Sequence, residues 1–301
     1  MSAQAIIRRY KRIIDILESG QHPSMEDIME YTERIGLKAS KRTIERDFEA
    51  IRNDFNIEIE YNKIKRGYFI NKEESLSIDN FLRLLELVET AHIFQENLKE
   101  SKETLSYIDF EYEGIASGVE FLQDVLQAIR THHIIQFNHK SYQTGKTQSY
   151  TVKPYLIKEY QGRWYVIGEV KDRSEFRTFG MDRIDTLEIL TDTFTPKKNT
   201  NLKERFHDVV GLTYSVGKLQ KIILAVKNSQ IPYLNSVPLH SSQRIIEEKE
   251  NETFIELLLK PNYEFLQRIF MQMDTVRVIE PISLEKEIKA RLERMKEMYV
   301  K

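Results

Sequence analysis

The 301-residue chain contains no cysteine. That excludes a disulfide framework, a thiolate metal site and a thiol nucleophile, and it fits a reducing compartment. Long apolar runs are also missing. Segments such as Ile222-Ile223-Leu224-Ala225-Val226 are far too short to span a bilayer. No apolar stretch follows the opening Met-Ser-Ala-Gln-Ala-Ile-Ile-Arg-Arg, so neither a secretory signal nor a membrane partner is expected, and the sequon Asn251-Glu252-Thr253 carries little weight. Catalytic signatures are equally scarce. Gly145-Lys146-Thr147 ends like a phosphate-binding loop, but Lys140 stands where its first glycine belongs. There is no G-x-S-x-G elbow, H-E-x-x-H pair or EF-hand loop. His132, His133 and His139 cluster without a carboxylate at ligand spacing and read as surface or sheet residues; His207-Asp208 reads as solvated. The expectation is a cytoplasmic protein that is not an enzyme and holds no metal or cofactor.

What remains is an ordinary globular composition, 41% hydrophobic and 31% charged, long enough for two or three domains. The net charge of −2 hides a split. Residues 1–72 hold 14 Lys and Arg against 12 Asp and Glu, whereas residues 77–118 hold 3 against 9. A mildly basic head beside an acidic segment allows a local footprint for an anionic polymer. So small an excess neutralises few phosphates, so tight binding would need a second copy in a homodimer.

The most informative stretch is Ser40 to Asp54. At the helical advance, Ile44, Phe48, Ile51 and Phe55 collect on one stripe, while Arg42, Arg46 and Ala50 fall near the opposite side. Ser40 occupies an N-cap position. Such a helix, with two arginines four residues apart, is suited to a DNA major groove. It is preceded by a helix from Gln4 to Glu18 (apolar side Ile6, Ile7, Ile13, Ile14, Leu17), broken at Gly20 and Pro23. A second helix, capped by Ser24, runs through Met25, Ile28, Met29, Tyr31 and Ile35 to Gly36. After the arginine-bearing helix come two alternating runs, Ile57 to Tyr61 and Gly67 to Ile70, joined by a connection carrying Lys63, Lys65 and Arg66. Three helices and a basic-tipped hairpin describe a winged helix-turn-helix over residues 1–72. Its expected partner is double-stranded DNA, bound through Ser40, Lys41, Arg42, Thr43 and Arg46 on the third helix, which reads base edges, and through Lys63, Lys65 and Arg66 at the hairpin tip, which is placed to touch phosphates.

Residues 73–131 read as a helical linker, with core and dimer contact as the other roles open to its helices. One helix runs from Ser77 to about Leu98 (Ile78, Phe81, Leu82, Leu85, Val88, Ile93), a loop spans 99–116, and Gly118 opens a second helix to Arg130 with Phe121, Leu122, Val125, Leu126 and Ile129 inward. The period then changes to two. Ile134–Phe137, Tyr150–Ile157, Trp164–Val170, Phe176–Phe179 and Thr186–Leu190 are short strands, separated by turns at 144–146, 161–162 and 171–174. Five such strands within 132–195 predict a small bent sheet or barrel, with Pro154 marking an edge or a bulge. Residues 196–217, with Pro196, Asn199 and Gly211, read as a linker. Residues 218–301 read as an α+β sandwich: strands at Lys221–Val226, Thr253–Leu259 and Val276–Ile279, a helix Asn262–Met273 capped by Asn262, and a helix Ser283–Tyr299 with Leu284, Ile288, Leu292, Met295 and Met298 inward.

Gly162-Arg163-Trp164-Tyr165-Val166-Ile167-Gly168, followed by Phe176-Arg177-Thr178-Phe179-Gly180-Met181-Asp182-Arg183-Ile184, resembles the signature of WYL-domain transcriptional regulators. Val152-Lys153-Pro154-Tyr155 and Arg42-Thr43-Ile44-Glu45-Arg46-Asp47 resemble the same family, in the order it uses. Val166 replaces the family's leucine, a conservative change. The resemblance implies an N-terminal winged helix, a central Sm-like β-barrel and a C-terminal extension. It also implies a sensory barrel whose ligand, often nucleotide-like or single-stranded nucleic acid, alters DNA binding.

Strand alternation sorts the signature. Trp164, Val166 and Val170 share one face, and Arg163, Tyr165 and Ile167 the other, which makes Trp164 core and Tyr165 the better ligand contact. With Lys153, Tyr155, Arg177 and Arg183 they form a candidate site for a phosphate with a stacked base, rimmed by His139 and Tyr142. The same arginines are also placed to form structural ion pairs with Asp182, Asp185 or Glu169. A competing expectation makes the barrel the main nucleic-acid binder of a defence-associated or accessory interaction module, with residues 1–72 dispensable.

Overall fold

The computed structural model describes residues 3–34, 36–75, 78–97, 118–171, 173, 175–197, 202–213 and 217–300. Ile35, Ser77, Leu98, the loop expected over 99–116, Asp172, Ser174 and Asn199 lie outside them, as does the side chain of Ile93. Every strand pairing among the described residues is antiparallel, and helix and strand occupy 42% and 31%, so the class is α+β. No helix among the described residues is long and apolar enough to cross a membrane. The chain divides into two compact units, Met1–Tyr112 and Glu113–Lys301.

The first unit contains α1 (Ala3–Glu18), α2 (Met25–Glu33), α3 (Lys41–Phe55), the hairpin β1 (Ile59–Asn62) and β2 (Gly67–Ile70), and α4 (Ile78–Asn97). Its helix starts follow capping chemistry. Ser24 and Asp27 exchange side-chain-to-backbone bonds at 3.2 and 2.8 Å, and the Ser40 hydroxyl accepts the Thr43 N–H. Asn56 ends α3 in the left-handed region. The stripe Ile44, Phe48, Ile51 packs against Ile13, Ile14, Leu17, Ile28, Ile57, Ile59 and Ile70. Phe81 and Leu85 of α4 join the same core, with Phe55 and Phe81 ring centroids 4.3 Å apart. Of the roles open to this helix, core, linker or dimer contact, its first turns are core of the first unit, since Ile78, Phe81, Leu82 and Leu85 pack there.

One buried polar contact crosses this core. Arg9 of α1 and Asp47 of α3, 1% and 2% exposed, form a two-pronged ion pair, with Nη2 donating to Oδ1 at 2.9 Å and Nε donating to Oδ2.

In the second unit a single 3₁₀ turn leads into α5 (Leu122–Thr131). The strands β3 (His133–Lys140), β4 (Thr147–Tyr160), β5 (Arg163–Val170), β6 (Phe176–Gly180) and β7 (Ile184–Thr193) follow, in the order β6-β5-β4-β3-β7. Strand β4 is central, so Pro154 marks no edge; the register shifts between Pro154 and Leu156, placing a bulge there. Alternation gives the sheet two apolar faces. Ile135, Phe137, Val152, Val166, Val170 and Phe179, with Trp164 at the margin, pack under Val125 and Ala128 of α5. Ile167, with Tyr155, Leu156 and Phe176, packs under Leu202, Phe206 and Val209. Leu126, expected inward, is 46% exposed, because it stands about 100° round the helix from Val125 and Ala128 completes the stripe instead.

The stretch 196–217, expected as a linker, contains in its described part α6 (Leu202–His207), which covers that second face. Beyond it lie β8 (Gln220–Lys227), α7 (Ile231–Ser236), β9 (Arg244–Glu248), β10 (Glu252–Leu259), α8 (Tyr263–Met271), β11 (Val276–Glu280) and α9 (Ile282–Glu297). The sheet order β11-β8-β10-β9 with a β-α-β-β-α-β sequence is a ferredoxin-like arrangement. Asn262 caps α8 as expected, accepting the Phe265 N–H. Along α9 only Leu284 and Ile288 reach the core; Leu292, Met295 and Met298, expected inward, are exposed. The last turns of α9 instead stand across an open groove from α8, where Met295 and Met298 line the same cavity of about 660 Å³ as Leu266 and Phe270.

Candidate nucleic-acid interface and ligand site

In the first unit, burial of Ile44, Phe48 and Ile51 turns Arg42 and Arg46 to the exposed side of α3. Neither arginine has an ion-pair partner among the described residues, whereas Lys41 lies 4.0 Å from Glu45. Ser40 and Thr43 hydroxyls are 3.0 Å apart. A groove of about 410 Å³ is lined by Ser40, Arg42, Thr43, Glu45, Arg46 and Glu49. Sequence reasoning passed over the two glutamates; on a base-reading helix they are acceptors for cytosine N4, and their charge opposes contact with phosphate.

The hairpin is pinned where it meets the core. Tyr68 donates its N–H to Pro23 O at 2.9 Å, and a Cβ on Gly67 would lie 1.7 Å from His22 O. At the tip, Asn62 Oδ1 accepts the N–H groups of Ile64 and Lys65, both at 3.0 Å, and Arg66 adopts a left-handed φ of 53°. Lys63, Lys65 and Arg66 are all exposed there.

In the second unit the eight expected ligand contacts fall into separate groups. The first gathers round Asp182, just after β6. Its Oδ2 accepts from Tyr142 Oη at 3.2 Å and Arg163 Nη1 at 3.4 Å, and its Oδ1 lies 3.6 Å from Arg183 Nε. Arg183 stacks over the Tyr142 ring at 4.8 Å. Tyr165 stands beside this cluster; burial and then the Asp182 charge push its hydroxyl pKa up, with Arg163 and Arg183 opposing. Gly180, opposite Tyr165 in register, leaves the room this cluster needs, since a Cβ there would meet Asp182 Oδ1 at 2.4 Å and Arg183 Nη2 at 2.5 Å.

His139 adjoins on the α5-covered face, in contact with the rings of Phe179 and Tyr150 at 5.4 and 6.3 Å. Burial, and next the Arg183 charge, hold its pKa below the usual imidazole value. Its Nε2 is buried without a hydrogen-bond partner among the described residues. Arg177 lies 5.8 Å over Tyr150 and 3.5 Å from Glu175. Lys153 and Tyr155 are elsewhere. Lys153 and Lys197 approach the buried Glu169 at 3.8 and 2.9 Å, and Tyr155 packs on Phe176 and Phe194. Each of the three arginines lies within ion-pair distance of a carboxylate. Arg163 and Arg183 pair with Asp182, so two guanidiniums share this carboxylate. Glu169 pairs with the lysines and not with an arginine.

Among the described residues no group of three or more His, Asp or Glu side chains is placed to hold a metal ion. His207 is exposed, 3.2 Å from Asp208, and His240 Nε2 contacts its carbonyl at 2.8 Å.

A small antiparallel sheet with a helix on each face, Trp164 at the margin of one core and Tyr165 beside an arginine cluster, defines the class of module. A family model described as the WYL domain matches residues 120–189, and the chain carries a WYL domain there. Over 71 residues it is 32% identical to Protein PafB of Mycobacterium bovis and to that of Mycobacterium tuberculosis, a match covering 24% of this chain and 21% of theirs. The match thus spans about a fifth of the length of those relatives. Among solved structures, proteasome accessory factor B/C (PafBC) of Arthrobacter aurescens aligns with 97% of this chain and 46% of its own, at 18% identity and a TM-score of 0.33. A CRISPR Cas-related protein aligns with 60% of this chain and 52% of its own, at 13% identity and a TM-score of 0.25.

Proposed function

We propose that this protein is a cytoplasmic, homodimeric, DNA-binding transcription regulator. In this reading the first unit is a winged helix-turn-helix, with α3 in the major groove and the hairpin as its wing, and the WYL domain is an Sm-like barrel that senses an anionic ligand. The observation that carries the reading is the disposition of α3: a capped helix anchored by Ile44, Phe48 and Ile51, presenting Arg42 and Arg46 without ion-pair partners among the described residues. Arg42 and Arg46 are geometrically able to bond guanine edges, and Ser40, Lys41, Lys63, Lys65 and Arg66 to meet phosphates. The test is a mobility shift of the full chain on DNA from upstream of its own gene. Arg42→Ala/Arg46→Ala is expected to weaken binding by about 1–3 kcal/mol per arginine, with folding unchanged because both side chains are exposed. Undiminished binding refutes the reading, and binding retained after deletion of residues 1–72 favours the accessory-module alternative.

The effector is a nucleotide-like molecule or a short nucleic-acid single strand. Arg163, Arg183 and Tyr142 supply charge and a stacking ring, and the unpartnered His139 Nε2 supplies a further polar contact. Arg177→Ala/Arg183→Ala is expected to abolish binding of nucleotides or short single strands in a fluorescence titration. Failure of the unaltered protein to bind either removes the sensory role.

A further inference from the structure

Ile64 is the most exposed large apolar side chain among the described residues, at 94%, and it sits at the apex of the β1–β2 hairpin. Single exposed aliphatics are common on protein surfaces. This one differs in two respects. Its backbone is fixed, because Asn62 Oδ1 accepts both its own N–H and that of Lys65, and Arg66 closes the turn in the left-handed region. Every ionisable side chain on the tip is a cation: Lys63, Lys65 and Arg66. An apolar point ringed by positive charge has the chemistry of something aimed at a polyanion with an apolar interior.

The direction of the hairpin supports that partner. Arg52 of α3 donates to Ile59 O at 3.0 Å through Nε, and the Phe48 ring lies 5.1 Å from Tyr68, the residue opposite Tyr61. From the Ile59–Ile70 rung of the hairpin to the Tyr61–Tyr68 rung, the contacts on α3 thus recede from Arg52 to Phe48. The strand retraces the helix toward its N-terminal half, the half that carries Arg42 and Arg46. With that half in a major groove, the next furrow across the phosphate backbone is a minor groove. It is about 6 Å wide, too narrow for two strands side by side, so what reaches into it is the apical side chain while the strands stay outside.

We infer that Ile64 is a wedge residue that enters the DNA minor groove and opens a base step, so that the protein selects its site partly by how easily that step deforms. The inference rests on the DNA-binding reading above. Lys63, Lys65 and Arg66 hold the flanking phosphates, and the side chain of Ile64 replaces part of the stacking surface lost at a flexible pyrimidine–purine step.

The experiment uses duplexes selected from a randomised pool by the full-length protein, end-labelled so that energy transfer reports the bend. Ile64→Ala is expected to bind the selected duplex about tenfold more weakly, to leave it straighter and to lose preference at the deformed step. Ile64→Met, apolar and of similar volume, is expected to keep binding, bend and preference. Neither change alters thermal unfolding, since the side chain is solvated. An Ile64→Ala protein that binds and bends like the original overturns the wedge; if Arg42→Ala/Arg46→Ala abolishes binding in the same assay, the DNA-binding reading survives it. A selection by the unaltered protein that enriches no duplex overturns both.

Discussion

Replacing Asp47 by alanine tests how the head is held together. The carboxylate is 2% exposed and meets Arg9, 1% exposed, through two contacts, one at 2.9 Å. Removing it takes from a buried guanidinium the carboxylate that meets it on two prongs. Such half-deletions cost about 3–5 kcal/mol, because the remaining ion keeps its desolvation penalty and loses its compensation. For a domain of this size that corresponds to a fall in melting temperature of at least roughly 12 °C. The double change Arg9→Met/Asp47→Leu removes both charges and keeps volume, so it is expected to return to within about 1–2 kcal/mol of the original. Calorimetry of the full chain, with hydrogen exchange at the amides of α1 and α3 to locate the transition, measures both. A loss below about 1 kcal/mol for Asp47→Ala, or a double variant as unstable as the single, refutes the argument that the pair is buried and mutually compensated.

Three further outcomes follow from the second unit. Asn262→Ala removes the cap on Phe265 N–H and two donors, to Val210 O at 2.6 Å and Thr213 O at 2.7 Å, and is expected to cost about 2–4 kcal/mol in urea unfolding; Asn262→Asp, which keeps the cap but sets a buried carboxylate oxygen against both carbonyls, is expected to cost no less. His139 and His240 are both held below the ordinary imidazole value, chiefly by burial, so the unfolded chain takes up protons that the fold excludes. Their contribution to stability is therefore complete above about pH 6.5 and is lost as the pH falls from there toward the folded values, which thermal midpoints across pH 7.5 to 5 will show. An anion bound at Tyr142 and Arg183 raises the His139 pKa, so its affinity is expected to strengthen as the pH drops from 7.5 to 6 and to lose that dependence in His139→Gln, read by isothermal titration. Affinity that weakens on acidification contradicts this placement of the ligand.

Local chemistry made much of the fold readable. Ser24, Ser40 and Asn262 announce helix starts because a short oxygen-bearing side chain satisfies a free N–H wherever it occurs. Alternation placed Trp164 and Ile167 on opposite faces of β5 for the same local reason. What escaped depends on neighbours distant in sequence. Nothing in Asp47 signals Arg9, which is 38 residues away. Lys153 and Tyr155 are a strand-mate pair on paper, but the bulge after Pro154 and the buried Glu169 draw them to a different cluster from Arg163 and Arg183. Strand β9, Arg244–Glu248, was missed because all five residues are exposed, so it lacks an inside-outside pattern and owes its form to pairing with β10. Leu292, Met295 and Met298 follow a helical stripe faithfully, but a stripe reports only which side could be covered, not whether a neighbour closes on it; Met295 and Met298 line an open groove against α8.

The clamp on residues 210–213 has a practical corollary for dissecting the molecule. Glu264 Oε1 accepts from Leu212 N, Thr213 N and Thr213 Oγ1, and Asn262 holds the carbonyls on either side, so this short segment is stitched to the start of α8. Immediately upstream, Leu202, Phe206 and Val209 roof the sheet of the WYL domain. A fragment cut after β7 would bare Ile167, Leu156 and Phe176 to water, and one begun at β8 would leave the carboxylate of Glu264 with nothing to receive. The two sheets are better produced, titrated and crystallised as a single piece than as the separable modules their sequence boundaries invite.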